Sequence, residues 1–189
     1  MFYDNLFLHL ENNSIFTTMG KTKFIAKIIS LISRLLAIAY FLMVIYSIFC
    51  LATKWCITLY GEGKFLHINY PFTQTPFLNV DYNANYILFS FLLPISLYSL
   101  FFWLTANLFK VFSKSILFTP VNLLQLKRFY LFNWIAPIPA IIISSFFVEP
   151  EGMIWLLAVV HGILGVFAWL VAAIFKQGLL LQNEQDLFI

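Results

Sequence analysis

Apolar residues run through this chain in four long blocks, each bounded by polar or charged residues and each close to the roughly 20 residues that a helix needs to cross a bilayer. The first, Leu35 to Thr53, has no charge and lies between Arg34 and the pair Lys54, Trp55. An arginine at the bilayer centre costs about 2.5 to 3.5 kcal/mol on the insertion scale, whereas at the rim its side chain reaches the head groups cheaply. Arg34 therefore reads as an inner-rim anchor. The other blocks span 86–109, 129–148 and 153–175, the last closed by Lys176. The pattern predicts an all-α integral membrane protein: one domain over 1–189, a four-helix up-down bundle.

The interruptions carry further expectations. Pro94 lies inside the second block and frees the carbonyl of Ser90, which permits a bend. Pro137 and Pro139 do the same to the carbonyls of Asn133 and Ile135, so the third helix should be kinked or locally unwound. The turn Glu149, Pro150, Glu151, Gly152 sends the chain back as the tightest hairpin. Thr119-Pro120 reads as a helix start, Thr119 as cap and Pro120 at the first helical position, within a cytoplasmic segment 110–128. The sizeable loop, 54–85, has turn signals at Gly61, Glu62 and Gly63, and Trp55 to Tyr60 can pair with Lys64 to Ile68 as a β-hairpin. Some thirty residues build no independent core, so the loop's aromatics should lie on the bundle and in the lipid interface. Upstream of the first block, Lys23, Lys27, Ser30 and Arg34 form one polar stripe, suited to anionic head groups or to an acidic partner. Phe2, Leu6 and Leu10 precede the breaker run Asn12, Asn13, Ser14, which leaves a short interfacial helix or a structureless tail.

Composition agrees with the pattern. The chain is 62% hydrophobic and 10% charged, with 23 Phe, far more apolar than the usual 45–50% of soluble domains, so part of the apolar surface must face hydrocarbon. All the Lys and Arg except Lys54 and Lys64 fall on one side of the four blocks. The positive-inside tendency puts that side, both termini and the tail 176–189 in the cytoplasm. A net charge of +3 is too small for a nucleic-acid footprint, and no direct nucleic-acid binding is expected. Asp4 and Glu11 stand where a signal peptide would be basic. Cys50 and Cys56 would fall on different faces of a continuing helix, which argues against a disulfide. The three His are scattered, so neither a metal nor a cofactor is expected, and no catalytic set is present.

His161 is the ionisable side chain well inside a block, and such a residue is a candidate functional group. It shares a face with Ala158, Gly165, Ala168 and Ala172, a stripe of small residues that lets another helix approach closely. His161 should thus point into the bundle and bond a neighbouring hydroxyl or carbonyl, either as a structural group or as a proton-sensitive or ligand-contacting one. Asn133 is the second intramembrane polar candidate. No carboxylate lies in the four blocks, which counts against proton-coupled transport.

Two segments resemble a known family. Ser115 to Phe129 is similar to the "pFt-x-x-N-x-x-x-L-(K/R)-x" signature of the bacterial membrane family called domain of unknown function 2975, through Phe118, Thr119, Asn122, Leu126, Lys127 and Arg128. The C-terminus resembles that family's "G-x-x-L-x-x-E-x-D-L-T-V" ending through Gly178, Leu181, Glu184, Asp186 and Leu187, with Phe188 where the family has Thr. The resemblance implies a multi-pass protein of the bacterial cytoplasmic (inner) membrane, encoded beside a small helix-turn-helix regulator that it holds or modulates. The two motifs would be its docking edges. A small transporter or channel subunit using the kinked helices and His161, and a structural or chaperone-like subunit, are the other readings. Homo-oligomers fit any of them.

Overall fold

A computed structural model describes residues 2–149 and 152–186, with side chains from Gly20 onward except that of Asp186. In chain order the elements are α1 (Phe2–Thr53), strands β1 (Ile57–Tyr60), β2 (Phe65–Asn69) and β3 (Pro76–Asp81), a π-helical segment (Tyr86–Leu92) that leads into α2 (Leu93–Phe112), then α3 (Pro120–Ile135), α4 (Pro137–Ser145) and α5 (Gly152–Asp186). Four helical stretches are long and apolar enough to cross a membrane: Gly20–Thr53, Tyr86–Phe112, Pro120–Ser145 and Gly152–Gln185. Large apolar side chains such as Ile45, Leu100, Ile142 and Phe167 stand exposed along them, as hydrocarbon-facing surfaces do.

Two helix pairs make up the body. In α1 the buried positions are small: Ala26, Ser33, Ala37, Ser47 and Cys50. Small residues repeating at three and four positions let α2 lie close, and the seam is stitched by Ser30 Oγ donating to Ala106 O (2.8 Å) and Ser99 Oγ donating to Ala37 O (3.0 Å). Partner numbers fall in α2 as they rise in α1, so the two run antiparallel. The second pair is α3 with α5, where Phe118 meets Gly178 and Trp134 meets Gly165, again antiparallel. Val111 and Leu126 share a cluster with Ala172 and Phe175, which joins α2 to the second pair. The start of the first span, the end of α2, the start of α3 and the end of α5 therefore lie at one end of the molecule, and every Lys and Arg from Lys21 onward except Lys54 and Lys64 is at that end.

Several sequence expectations are corrected. The fold is mostly helical, as expected, but not wholly so, because β1, β2 and β3 form an antiparallel sheet in that order. Its first hairpin pairs Tyr60 with Phe65, and positive φ at Gly61, Glu62 and Gly63 closes the turn. The missed strand, β3, begins at Pro76, a position where a strand needs no N–H donor. The sheet has no core of its own: Leu66, Ile68 and Val80 bury against Cys50 at the end of α1, and Tyr46 Oη donates to Asn69 O at 2.6 Å. Asn12, Asn13 and Ser14 do not break α1, since Asn and Ser cost a helix only tenths of a kcal/mol each and no proline is present. Residues 110–128 are not mainly loop. With Lys110 inside α2 and Thr119 capping α3 at Asn122 N, Lys127 and Arg128 are helical residues. Both cysteines are free thiols.

Candidate functional site

The helices are irregular where α2, α3, α4 and α5 meet. Ahead of Pro94 the chain takes π-helical turns, with Leu93 N–H donating to Leu88 O five residues back. A single π turn of this kind shifts the phase of the side chains that follow it and recurs at functional sites. Across from it, α3 ends at Ile135 and α4 starts at Pro137. Pro137 and Pro139 have no N–H to offer the carbonyls of Asn133 and Ile135, so the helix breaks where the sequence places them. Between these two irregular stretches and α5 lies a cavity of about 130 Å³. Its wall is almost wholly apolar, with the rings of Phe89, Tyr98, Phe101 and Phe132, and His161 supplies an imidazole.

A polar chain crosses from α3 to α5 beside this cavity. Asn133 Nδ2 donates to Phe129 O at 2.8 Å, and Asn133 Oδ1 lies 2.7 Å from His161 Nδ1. The backbone carbonyl can only accept, which fixes the amide orientation, and an amide oxygen can only accept as well, so His161 Nδ1 carries the proton. In the neutral ring Nε2 is then a bare acceptor, and it has no hydrogen-bond partner among the described residues. Asn133 is 1% and His161 9% exposed. The ring is packed edge-on against Phe101, centroids 5.1 Å apart. One turn along α5, Gly165 admits Trp134, whose ring occupies the space where a Cβ would be. The small residue thus allows α3 close enough for the Asn133–His161 bond.

The remaining candidates lie at the basic end, and the structure divides them. Phe118, Thr119, Asn122 and Gly178 are engaged within the chain. The Phe118 ring fills the space over Gly178, 2.7 Å from a would-be Cβ, and meets Phe175 edge-on. Asn122 is wholly buried; its Nδ2 donates to Ile116 O and Leu117 O at 3.1 and 2.9 Å, and its Oδ1 accepts from Lys114 Nζ at 2.7 Å. The connection before α3 is therefore a self-satisfied elbow, with Phe118 bringing the two quoted motifs into contact. Lys114 was legible in the sequence only as a charge, because its partner is set by the elbow's path. Lys127, Arg128, Leu181 and Glu184 are exposed. Among the described residues no ion pair joins Lys127 or Arg128 to Glu184. Asp186 is described only as backbone, and Leu187 lies outside the described residues. Arg34, expected at the rim, donates to Asn107 Oδ1 at 3.1 Å and lies 4.8 Å over the Trp103 ring, so the first helix pair shares its charge. No protein-family model, curated protein or solved structure matches the chain.

Proposed function

We propose that the chain is a multi-pass protein of the bacterial cytoplasmic membrane, an up-down bundle with both termini in the cytoplasm, that holds or modulates a cytoplasmic helix-turn-helix regulator. The observation that carries this reading is the length of α5. Its stretch Gly152–Gln185, 34 residues, is about 51 Å long at 1.5 Å per residue, against about 30 Å of hydrocarbon. The excess falls beyond Lys176, at the basic end, where Leu180 and Leu181 are 53% and 61% exposed beside Gln182, Asn183 and Glu184. Leucines on a helical extension into water form an apolar face for a partner to cover.

The similarity to domain of unknown function 2975 supports the identity of that partner. The basic end supports the orientation, since Lys and Arg are retained on the cytoplasmic side. Because Phe118, Thr119, Asn122 and Gly178 are spent on the elbow, the docking surface narrows to Lys127, Arg128, Leu181 and Glu184, with the Asp186 position following on the same helix.

Deleting residues 180–189 should leave insertion and abundance unchanged while abolishing co-purification with the helix-turn-helix protein encoded beside it. A truncated protein that still retains this regulator overturns the docking assignment, and one that is degraded makes the tail a structural element. Orientation is tested separately: reporter fusions after Lys114 and at the C-terminus should report cytoplasm and one near Gly63 the exterior. A C-terminus on the outer side ends the four-span topology.

A further inference from the structure

We infer that the cavity between α2, the α3–α4 break and α5 is a binding site for a small aromatic molecule that carries one hydrogen-bond donor, with a phenol as the simplest form. This goes beyond the regulator reading and does not depend on it.

Size comes first. A cavity of about 130 Å³ is close to the engineered apolar cavity of about 150 Å³ that stays dry and accepts benzene. One ring with a short substituent fits the space. The wall is suited to a ring: Phe89, Tyr98, Phe101 and Phe132 surround it, and aromatic faces and edges pack favourably on one another.

The polar handle comes second. Water in such a cavity wants two to four polar partners, yet Ser144 Oγ is already bonded to Ala140 O and Ile141 O, and His161 Nδ1 is held by Asn133. What is left, besides the Tyr98 hydroxyl on the wall, is the Nε2 lone pair of a side chain about nine-tenths buried. In this tautomer Nε2 can only accept, so the matching ligand brings a donor to it. Asn133 acts as a positioning residue: held by the Phe129 carbonyl, it selects the tautomer in which Nε2 accepts rather than donates.

The backbone comes third. The cavity exists because two helices depart from regularity at the same depth, the π-helical segment before Pro94 and the break at Pro137. Regular helices would bring ordinary side-chain packing into that space. A site built at two irregular turns is of the kind that recurs where membrane helices hold ligands.

The test uses the full chain in nanodiscs of phosphatidylethanolamine and phosphatidylglycerol, with p-cresol and p-xylene as probes. The two share a shape, with a methyl in place of the hydroxyl, and p-cresol alone has a donor. We expect p-cresol to bind roughly tenfold or more tightly than p-xylene, the worth of one hydrogen bond in a dry site. Histidine ¹⁵N spectra should show an unprotonated Nε2 for His161, assigned by its loss in His161→Gln, and that resonance should shift on adding p-cresol. Ala158→Leu, which fills the cavity from α5, should abolish binding of both probes. Equal affinity for p-cresol and p-xylene would mean that any apolar filler, an acyl chain included, occupies the space, and the proposal fails. A protonated Nε2, or undiminished binding in a folded Ala158→Leu protein, overturns it too. The probe comparison on the unaltered chain decides the matter even where a variant does not fold.

Discussion

The two helix pairs solve the same problem in different ways. Along α1 and α2, small side chains bring the helices together, and hydroxyls donate to carbonyls across the seam, from Ser30 to Ala106 and from Ser99 to Ala37. Ser47 Oγ is the buried hydroxyl of that seam without a partner. Along α3 and α5 the approach also depends on small residues, Gly165 and Gly178, but each faces a large ring, and the polar bond between the helices joins two side chains, Asn133 and His161. The seam of the first pair is closed along its length, although α2 opens with π-helical turns. The second pair is broken at Pro137 and borders, together with α2, a cavity. Polar groups in hydrocarbon are tolerated where they are satisfied, so an imidazole with one nitrogen satisfied and the other beside a cavity marks the second pair as the place where this molecule meets something else.

The contrast can be broken most forcefully at Gly165. A Gly165→Leu substitution cannot be accommodated with Trp134 in place, and overpacking of this kind costs about 1–3 kcal/mol or more. We expect the largest loss of thermal stability there, together with loss of the Asn133–His161 bond; a melting temperature equal to that of the unaltered chain would show that α3 does not need the glycine. Next comes the polar bond itself. His161→Ala leaves Asn133 Oδ1 buried and unpaired at a cost of about 1–3 kcal/mol, while His161→Gln, which keeps a hydrogen-bonding group, should restore much of that stability without restoring the p-cresol preference. If Gln restored both, the imidazole would not be the recognition element. The smallest effect belongs to the closed pair: interhelical hydrogen bonds in membranes average about 0.6 kcal/mol, and Ser30→Ala should lower stability by about that amount. A loss as large as that of His161→Ala would show the two seams to be energetically alike.

The irregular stretches around the cavity were legible in part. Pro94, Pro137 and Pro139 announce disturbed helices because a residue without an N–H cannot continue the ladder, and Thr119-Pro120 announces a helix start for a local reason too. The small-residue face around His161 follows from helical spacing alone. The corresponding seam of α1 also keeps small residues, Ala26, Ser33, Ala37 and Ser47, on one helical face, a signal that charge and proline counting passed over. The third strand begins at Pro76, a residue that suits a strand only once β2 supplies an edge on which it can sit first.

What the sequence by itself determined is everything that depends on one segment and its solvent: four apolar helices, the separation of charge between their ends, the capped start of α3 and the two disturbed helices. Those properties come from hydrocarbon length, from snorkelling cations and from backbone chemistry, none of which needs a second segment. Tertiary structure alone decided which polar atoms meet. That His161 bonds Asn133, that Lys114 completes Asn122, that Phe118 rests on Gly178 and that two irregular turns face one cavity are consequences of how α3 crosses α5, and a crossing is set by the packing of many side chains at once.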